Sequence, residues 1–229
     1  MSETTGSPSR IALQSGIVAA ARASGRPVLD CGRGQPNWIA TLPRAGYLAL
    51  ASFALNAAAA NGDTEGRGRA PSADGLADRL HQTLAGPIAA GSKGSAFLAE
   101  AVAYGVDELG FDPDAWVSEL VNGALGAGYP TPTRMLTHLE QVVERYMVTV
   151  LGAHERTPGT HQLFATEGGA AAMAYVFNTL RENHIVGPGD AIAMATPIFT
   201  PYLQIPVLEE FGFRVVEIPA SHNVDHRFE

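Results

Sequence analysis

Two short stretches carry residue types and spacings suited to binding chemistry. In the first, the apolar run from His161 to Ala165 breaks at Thr166-Glu167-Gly168-Gly169-Ala170 and becomes an apolar helical pattern. That order reads as strand, tight turn, helix. Glycines let backbone approach a ligand closely, and the N–H groups of a helix's first turn point into such a turn with the dipole favouring negative charge. The backbone of Gly168, Gly169 and Ala170 is therefore a candidate phosphate seat; the plainer alternative is that the glycines only make a sharp turn. The second stretch, Thr196-Pro197-Ile198-Phe199-Thr200-Pro201-Tyr202, places Phe199 just beyond a predicted strand end, where open α/β sheets hold ligands. An aromatic face near a phosphate seat favours a phosphorylated aromatic ligand, since stacking adds about 0.5–1.5 kcal/mol beyond area burial. Phe199 as a core residue is the competing reading.

Other candidates are few. Lys93 is the only lysine, and it lies in a Gly/Ser-rich stretch well before the glycine turn. Cys31 is the only cysteine, which excludes an intrachain disulfide and a cysteine-based zinc site, so no metal is expected. Arg33 and Gly34 lie in the glycine-rich turn Gly32-Arg33-Gly34-Gln35-Pro36-Asn37-Trp38, where a guanidinium could hold a carboxylate bidentately. With a formal net charge of -8 and no dense Lys/Arg tract, neither nucleic acid nor an anionic membrane is an expected partner. Met1 to Arg10 is polar and no run is long enough to span a bilayer, which gives a cytoplasmic expectation.

At 229 residues, 46% hydrophobic and 17% charged, the chain can bury a full core. A short helix is predicted from Ile11 to Ser24. An apolar and therefore buried helix follows from Thr41 to Asn61, with Pro43 early where its missing N–H costs little. Helices are predicted over Ala73 to Leu84 with Ser72 as cap, over Ala96 to Leu109, and from Asp112 to Leu125; the stretch from Gly86 to Ser95, with Lys93, reads as a loop. Thr131-Pro132 opens a long helix ending at Leu151-Gly152. The last third alternates: strand His161 to Thr166, helix Gly169 to His184, strand Asp190 to Thr196, helix Pro201 to Phe211, strand Phe213 to Pro219. That is βαβαβ, the unit of a sheet layered with helices, so the fold class is α/β. The expected segments are 1–61 with the substrate-side turn, 62–125 as a helical insertion, and 126–229 as an incomplete sheet domain.

These motifs resemble the aspartate aminotransferase superfamily of fold type I pyridoxal-phosphate enzymes. Thr166 to Ala170 is similar to its phosphate-binding turn, and Pro197 to Tyr202 to its Pro-x-aromatic turn, with Phe199 over the pyridine ring. Tyr129, ahead of Pro-Thr-Pro-Thr-Arg-Met-Leu, looks like the tyrosine that reaches a neighbouring subunit's phosphate, and Gly34 to Trp38 like the turn near the substrate carboxylate. Within the superfamily the likeness is greatest to the aspartate 4-decarboxylases. It rests on Leu29 to Trp38, Tyr129 to Leu136, Ala165 to Met173 and Thr196 to Tyr202, together with the helical stretch between Gly62 and Leu125.

The resemblance implies pyridoxal 5'-phosphate as cofactor, L-aspartate as substrate, β-decarboxylation to alanine and carbon dioxide, and an assembly of at least two subunits. Gly168, Gly169, Ala170, Phe199 and Tyr129 would bind cofactor, and Arg33 and Gly34 substrate. The family's Schiff-base lysine lies downstream of the Phe199 turn and is not found here, so no catalytic residue is assigned; the chain is expected to be an inactive N-terminal portion of a longer enzyme. An aspartate or broad-specificity aminotransferase shares every motif. A noncatalytic module that binds another phosphate ligand or serves assembly also fits the missing lysine.

Overall fold

The computed structural model describes residues 10–25, 39–62, 65–89, 91–129, 133–152 and 162–220. Among these described residues, eight α-helices and two strands follow in chain order. Helix α1 spans Arg10–Ala23, as expected from its composition. Helix α2, Thr41–Ala60, buries Gly46, Leu50, Phe53, Ala54, Ala57 and Ala58. Those positions recur every three or four residues and so share one face. Leu48 and Leu55 are two-thirds exposed, so α2 is not buried all round as its apolar sequence suggested.

Helices α3 (Leu76–Ala85), α4 (Lys93–Ala103) and α5 (Pro113–Leu125) complete a helical cluster with α2. Its core joins Leu50, Phe53 and Ala54 of α2 to Leu76, Leu80, Leu98, Val117 and Val121. Close approach of α2 and α4 depends on Gly94, where an added Cβ would lie 2.6 Å from the Ala45 carbonyl carbon. Three boundaries differ from expectation. Helix α3 begins after Gly75 in a left-handed conformation, and Ser72 does not cap it, its hydroxyl instead accepting from the Asp74 N–H. The cap comes from α5: Asp114 accepts from the N–H groups of Gly75 (2.8 Å) and Ala77 (2.9 Å), and these bonds hold its carboxyl below the ordinary carboxylate range. Lys93 belongs to no loop but opens α4, with Ser92 accepting from the Ser95 N–H as cap. Beyond Ala103 the helix widens into a π-turn over Tyr104–Glu108 before Gly110 closes it.

Helix α6 is Thr137–Val150, starting later than Thr131-Pro132 predicted; Pro130, Thr131 and Pro132 lie outside the described residues. Its N-cap, Leu136, has no capping side chain. Glu119 of α5 substitutes, accepting from the N–H groups of His138 (2.9 Å) and Leu139 (3.0 Å) while meeting His138 Nδ1 at 2.8 Å. The Phe111 ring packs edge-on against the same imidazole.

The last third holds helix α7 (Gly169–Glu182), strand β1 (Ala191–Thr196), the single turn α8 (Pro201–Gln204) and strand β2 (Arg214–Pro219). The strands pair in parallel, Ala191 opposite Arg214 through Thr196 opposite Pro219. Phe177 of α7 packs with Phe211 and Phe213, joined by Met173, Leu180, Ile192, Met194 and Ile205, so α7 covers one face of the pair. The expected βαβαβ unit is reduced in two places. Residues 162–166 form no strand, because the backbone of Leu163 is held by side chains and not by a neighbouring strand. The helix predicted to Phe211 stops at Gln204: Pro206 cannot donate a helical N–H, and turns lead on to Gly212 in a left-handed conformation.

Candidate functional site

Gly168 is the N-cap of α7 and adopts φ 104°, ψ 174°, a backbone conformation suited to glycine alone. Gly168, Gly169 and Ala170 are exposed, and no side chain caps the helix. The first-turn N–H groups of a helix have no intrahelical acceptor, so this end presents donors outward. The adjacent carboxylate, Glu167, is engaged elsewhere. Tyr175, two turns along α7, donates its hydroxyl to Glu167 Oε2 at 3.0 Å, and that bond raises the phenol above its usual range. Phe164 stands edge-on to the same Tyr175 ring at 6.3 Å, and the Thr166 hydroxyl donates to the Gly168 carbonyl at 3.2 Å. The turn is thus built on α7 from both sides.

The second motif comes to the same place. The Thr196–Pro197 peptide bond is cis, and the chain leaves β1 through Ile198 and Phe199 into α8. Phe199 is 63% exposed, which removes its reading as a core residue. Its ring meets Tyr202 edge-on, with centroids 5.7 Å apart and planes at 88°. Tyr202 in turn reaches the glycine turn: a Cβ on Gly169 would stand 3.1 Å from its hydroxyl oxygen. Tyr202 therefore links the glycine turn to the aromatic one. Sequence reasoning placed it in the motif without giving it a role, although its i+3 spacing from Phe199 signals that the two rings share a side of a helical turn.

The remaining candidates separate from this pair. Tyr129 is 92% exposed in an irregular segment after α5. Arg33 and Gly34 lie outside the described residues. Lys93 lines a cleft with His81, Leu84, Ser92 and Ala96 within the helical cluster, away from the glycine turn. Among the described residues no group of three His, Cys, Asp or Glu could hold a metal ion, and no helix is long and apolar enough to cross a membrane. Two further residues, Arg134 and Glu140, hold the segment that feeds the turn. Arg134 lies in the irregular segment before α6 and Glu140 within the helix, so no single periodicity pairs them.

A phosphorylated aromatic group suits this geometry. The uncapped α7 end offers donors to an anion, an exposed ring face lies on the adjacent turn, and a side chain at either glycine would strain the backbone or crowd Tyr202.

No protein-family model matches the chain. It is 38% identical over 207 residues to a Pseudomonas sp protein named bifunctional aspartate aminotransferase and L-aspartate beta-decarboxylase. The match takes in 90% of this chain and spans 39% of that relative's length. This similarity supports the aminotransferase/β-decarboxylase family, and the helical architecture with a small parallel sheet is consistent with part of an aminotransferase-like fold.

Proposed function

We propose that the chain supplies the phosphate seat and ring-facing turn of a pyridoxal 5'-phosphate enzyme that converts L-aspartate to L-alanine and carbon dioxide. The observation that carries this reading is the convergence of Gly169 and Phe199 on Tyr202, on a chain similar to a named aspartate β-decarboxylase. In this reading the N–H groups of Gly168, Gly169 and Ala170 bind the cofactor phosphate and Phe199 stacks on the pyridine ring. When bound, the cofactor supplies an electron sink for charge developing on the amino acid. Arg33 and Gly34 orient the substrate's carboxylates. Too tight a hold on the departing carboxylate would slow its loss, because equal binding in ground and transition states adds nothing to the chemical step.

Tyr129, 92% exposed, is left to reach a neighbouring subunit's cofactor phosphate, which makes the assembly at least a dimer. Lys93 is not the amine of the reaction, since it sits at the start of α4 in the helical cluster. In the proposed segmentation, 62–125 is a helical insertion, 126–229 begins the cofactor-binding domain, and 1–61 carries the substrate-side turn. The formal net charge of -8 favours a small-molecule substrate over nucleic acid or membrane partners, and the lone Cys31 suits a reducing, cytoplasmic setting. Aminotransfer is the second reaction, favoured by the same relative's name.

Product analysis in the full-length protein separates the two. Alanine with carbon dioxide supports decarboxylation, and oxaloacetate formed only with an amino-group acceptor supports transfer alone. For the cofactor assignment, Phe199→Ala should weaken pyridoxal phosphate binding about 2- to 12-fold, the stacking increment converted to affinity. Unchanged affinity would remove Phe199 from the site.

A further inference from the structure

Residues 162–166 lead into the glycine turn without a neighbouring strand among the described residues, yet both backbone groups of Leu163 are held. Its N–H donates to Glu140 Oε1 at 3.0 Å, and its carbonyl accepts from Arg134 Nε at 3.0 Å. Arg134 Nη2 closes the triangle by donating to that same Glu140 oxygen. One donor and one acceptor, locked together by their own ion pair, thus present to Leu163 what an adjacent strand would present. The pair is partly shielded, with the Arg134 and Glu140 side chains 39% and 19% exposed, so water competes less for these bonds. Glu140 is set by α6, whose first turn is capped by Glu119 of α5, so the clamp is tied to the helical cluster. On the other side, Phe164, Thr166 and Glu167 are each fixed to the turn or to Tyr175 of α7. A displacement at Leu163 therefore has little slack before Gly168.

We propose that Arg134 and Glu140 are positioning residues for the glycine turn: the pair replaces a strand partner at Leu163 and fixes how Gly168, Gly169 and Ala170 present their N–H groups to phosphate. The clamp itself is read from the hydrogen bonds alone; its role toward phosphate rests on the phosphate-seat reading above.

The test uses the 229-residue chain and two readouts. The first is hydrogen exchange at the Leu163 amide. The second is the ratio of dissociation constants for pyridoxal and pyridoxal phosphate, which isolates the phosphate contribution. Arg134→Met keeps the apolar stem and removes both guanidinium bonds, and Arg134→Lys retains one donor group that can serve only one acceptor well. Arg134→Met should speed exchange at Leu163 and cut the phosphate preference about tenfold, the scale of one charge-assisted hydrogen bond. Arg134→Lys should fall between it and the parent. Parent-like exchange and preference in Arg134→Met would overturn the proposal. So would a parallel loss of both ligands, which marks a general structural role. If the parent shows no phosphate preference while exchange still responds to Arg134→Met, the phosphate seat fails and takes the positioning role with it, leaving the clamp as a structural feature only.

Discussion

Gly168→Ala isolates the backbone requirement of the turn. Nothing lies within 4 Å of the position an added Cβ would take, so no clash contributes and the backbone conformation is the whole cost. At φ 104° and ψ 174° that conformation is reached essentially by glycine, and a side chain there costs on the order of 1–3 kcal/mol. Asparagine offers no relief, because its tolerance is for left-handed helical positions with ψ near about 47°. The chain has two responses. If the turn holds, the strain appears as lost stability, about 2–12 °C in thermal midpoint for a chain of this size. If the turn relaxes, the same energy appears as about 5- to 150-fold weaker phosphate-dependent binding. Thermal unfolding by circular dichroism, combined with pyridoxal phosphate titration, measures both. Gly169→Ala is the control, since its Cβ meets only the Tyr202 hydroxyl at 3.1 Å, the far end of a side chain that can give. A Gly168→Ala chain within about 1 °C and about twofold of its parent on both measures would refute the reasoning.

Three further outcomes follow from the same structure. Gly94→Ala forces a Cβ to 2.6 Å from the Ala45 backbone where α2 and α4 meet, and should destabilise by about 1–3 kcal/mol in urea unfolding; Gly46→Ala should cost less, because its close contact is with the Phe97 side chain at 2.7 Å while the Gly94 carbonyl oxygen stands at 3.4 Å. Asp114 has its carboxyl lowered from 3.8 by the Ala77 and Gly75 amides, so its contribution is present above 3.8 and lost as pH falls through the lower folded value. Urea midpoints measured from pH 6 down to about pH 2 should therefore fall less steeply for Asp114→Asn than for the parent on the acid side. Borohydride treatment of the 229-residue chain with pyridoxal phosphate should leave no specific adduct on Lys93 by peptide mass mapping, since that amine opens α4 and lines a cleft of the helical cluster.

Helices with periodic apolar faces were legible in the sequence, and α5 and α7 start where Pro113 and the glycine pair indicated. Starts that depend on distant partners were not. Nothing in the local sequence of α3 or α6 announces that Asp114 and Glu119, tens of residues away, supply their caps. Ser72 therefore misled as a cap, and the described start of α6 is Thr137. The run from His161 to Thr166 has strand-like composition, but a strand also requires a hydrogen-bonding neighbour, and at Leu163 that place is taken by Arg134 and Glu140. In the candidate site the glycine turn and Phe199 could be named from residue type, because each sits at a recognisable break between elements. Their meeting at Tyr202 could not, since it depends on how α8 folds back toward α7.

The cap on α6 bears on how this chain can change over descent. Its His138 and Leu139 amides have no acceptor at Leu136 and rely on Glu119, which belongs to the helical cluster. A chain without α5 would leave those amides to water, unless a residue such as Ser, Thr, Asp or Asn at position 136 capped them locally. The helical block and an apolar residue at 136 are thus a linked pair of characters.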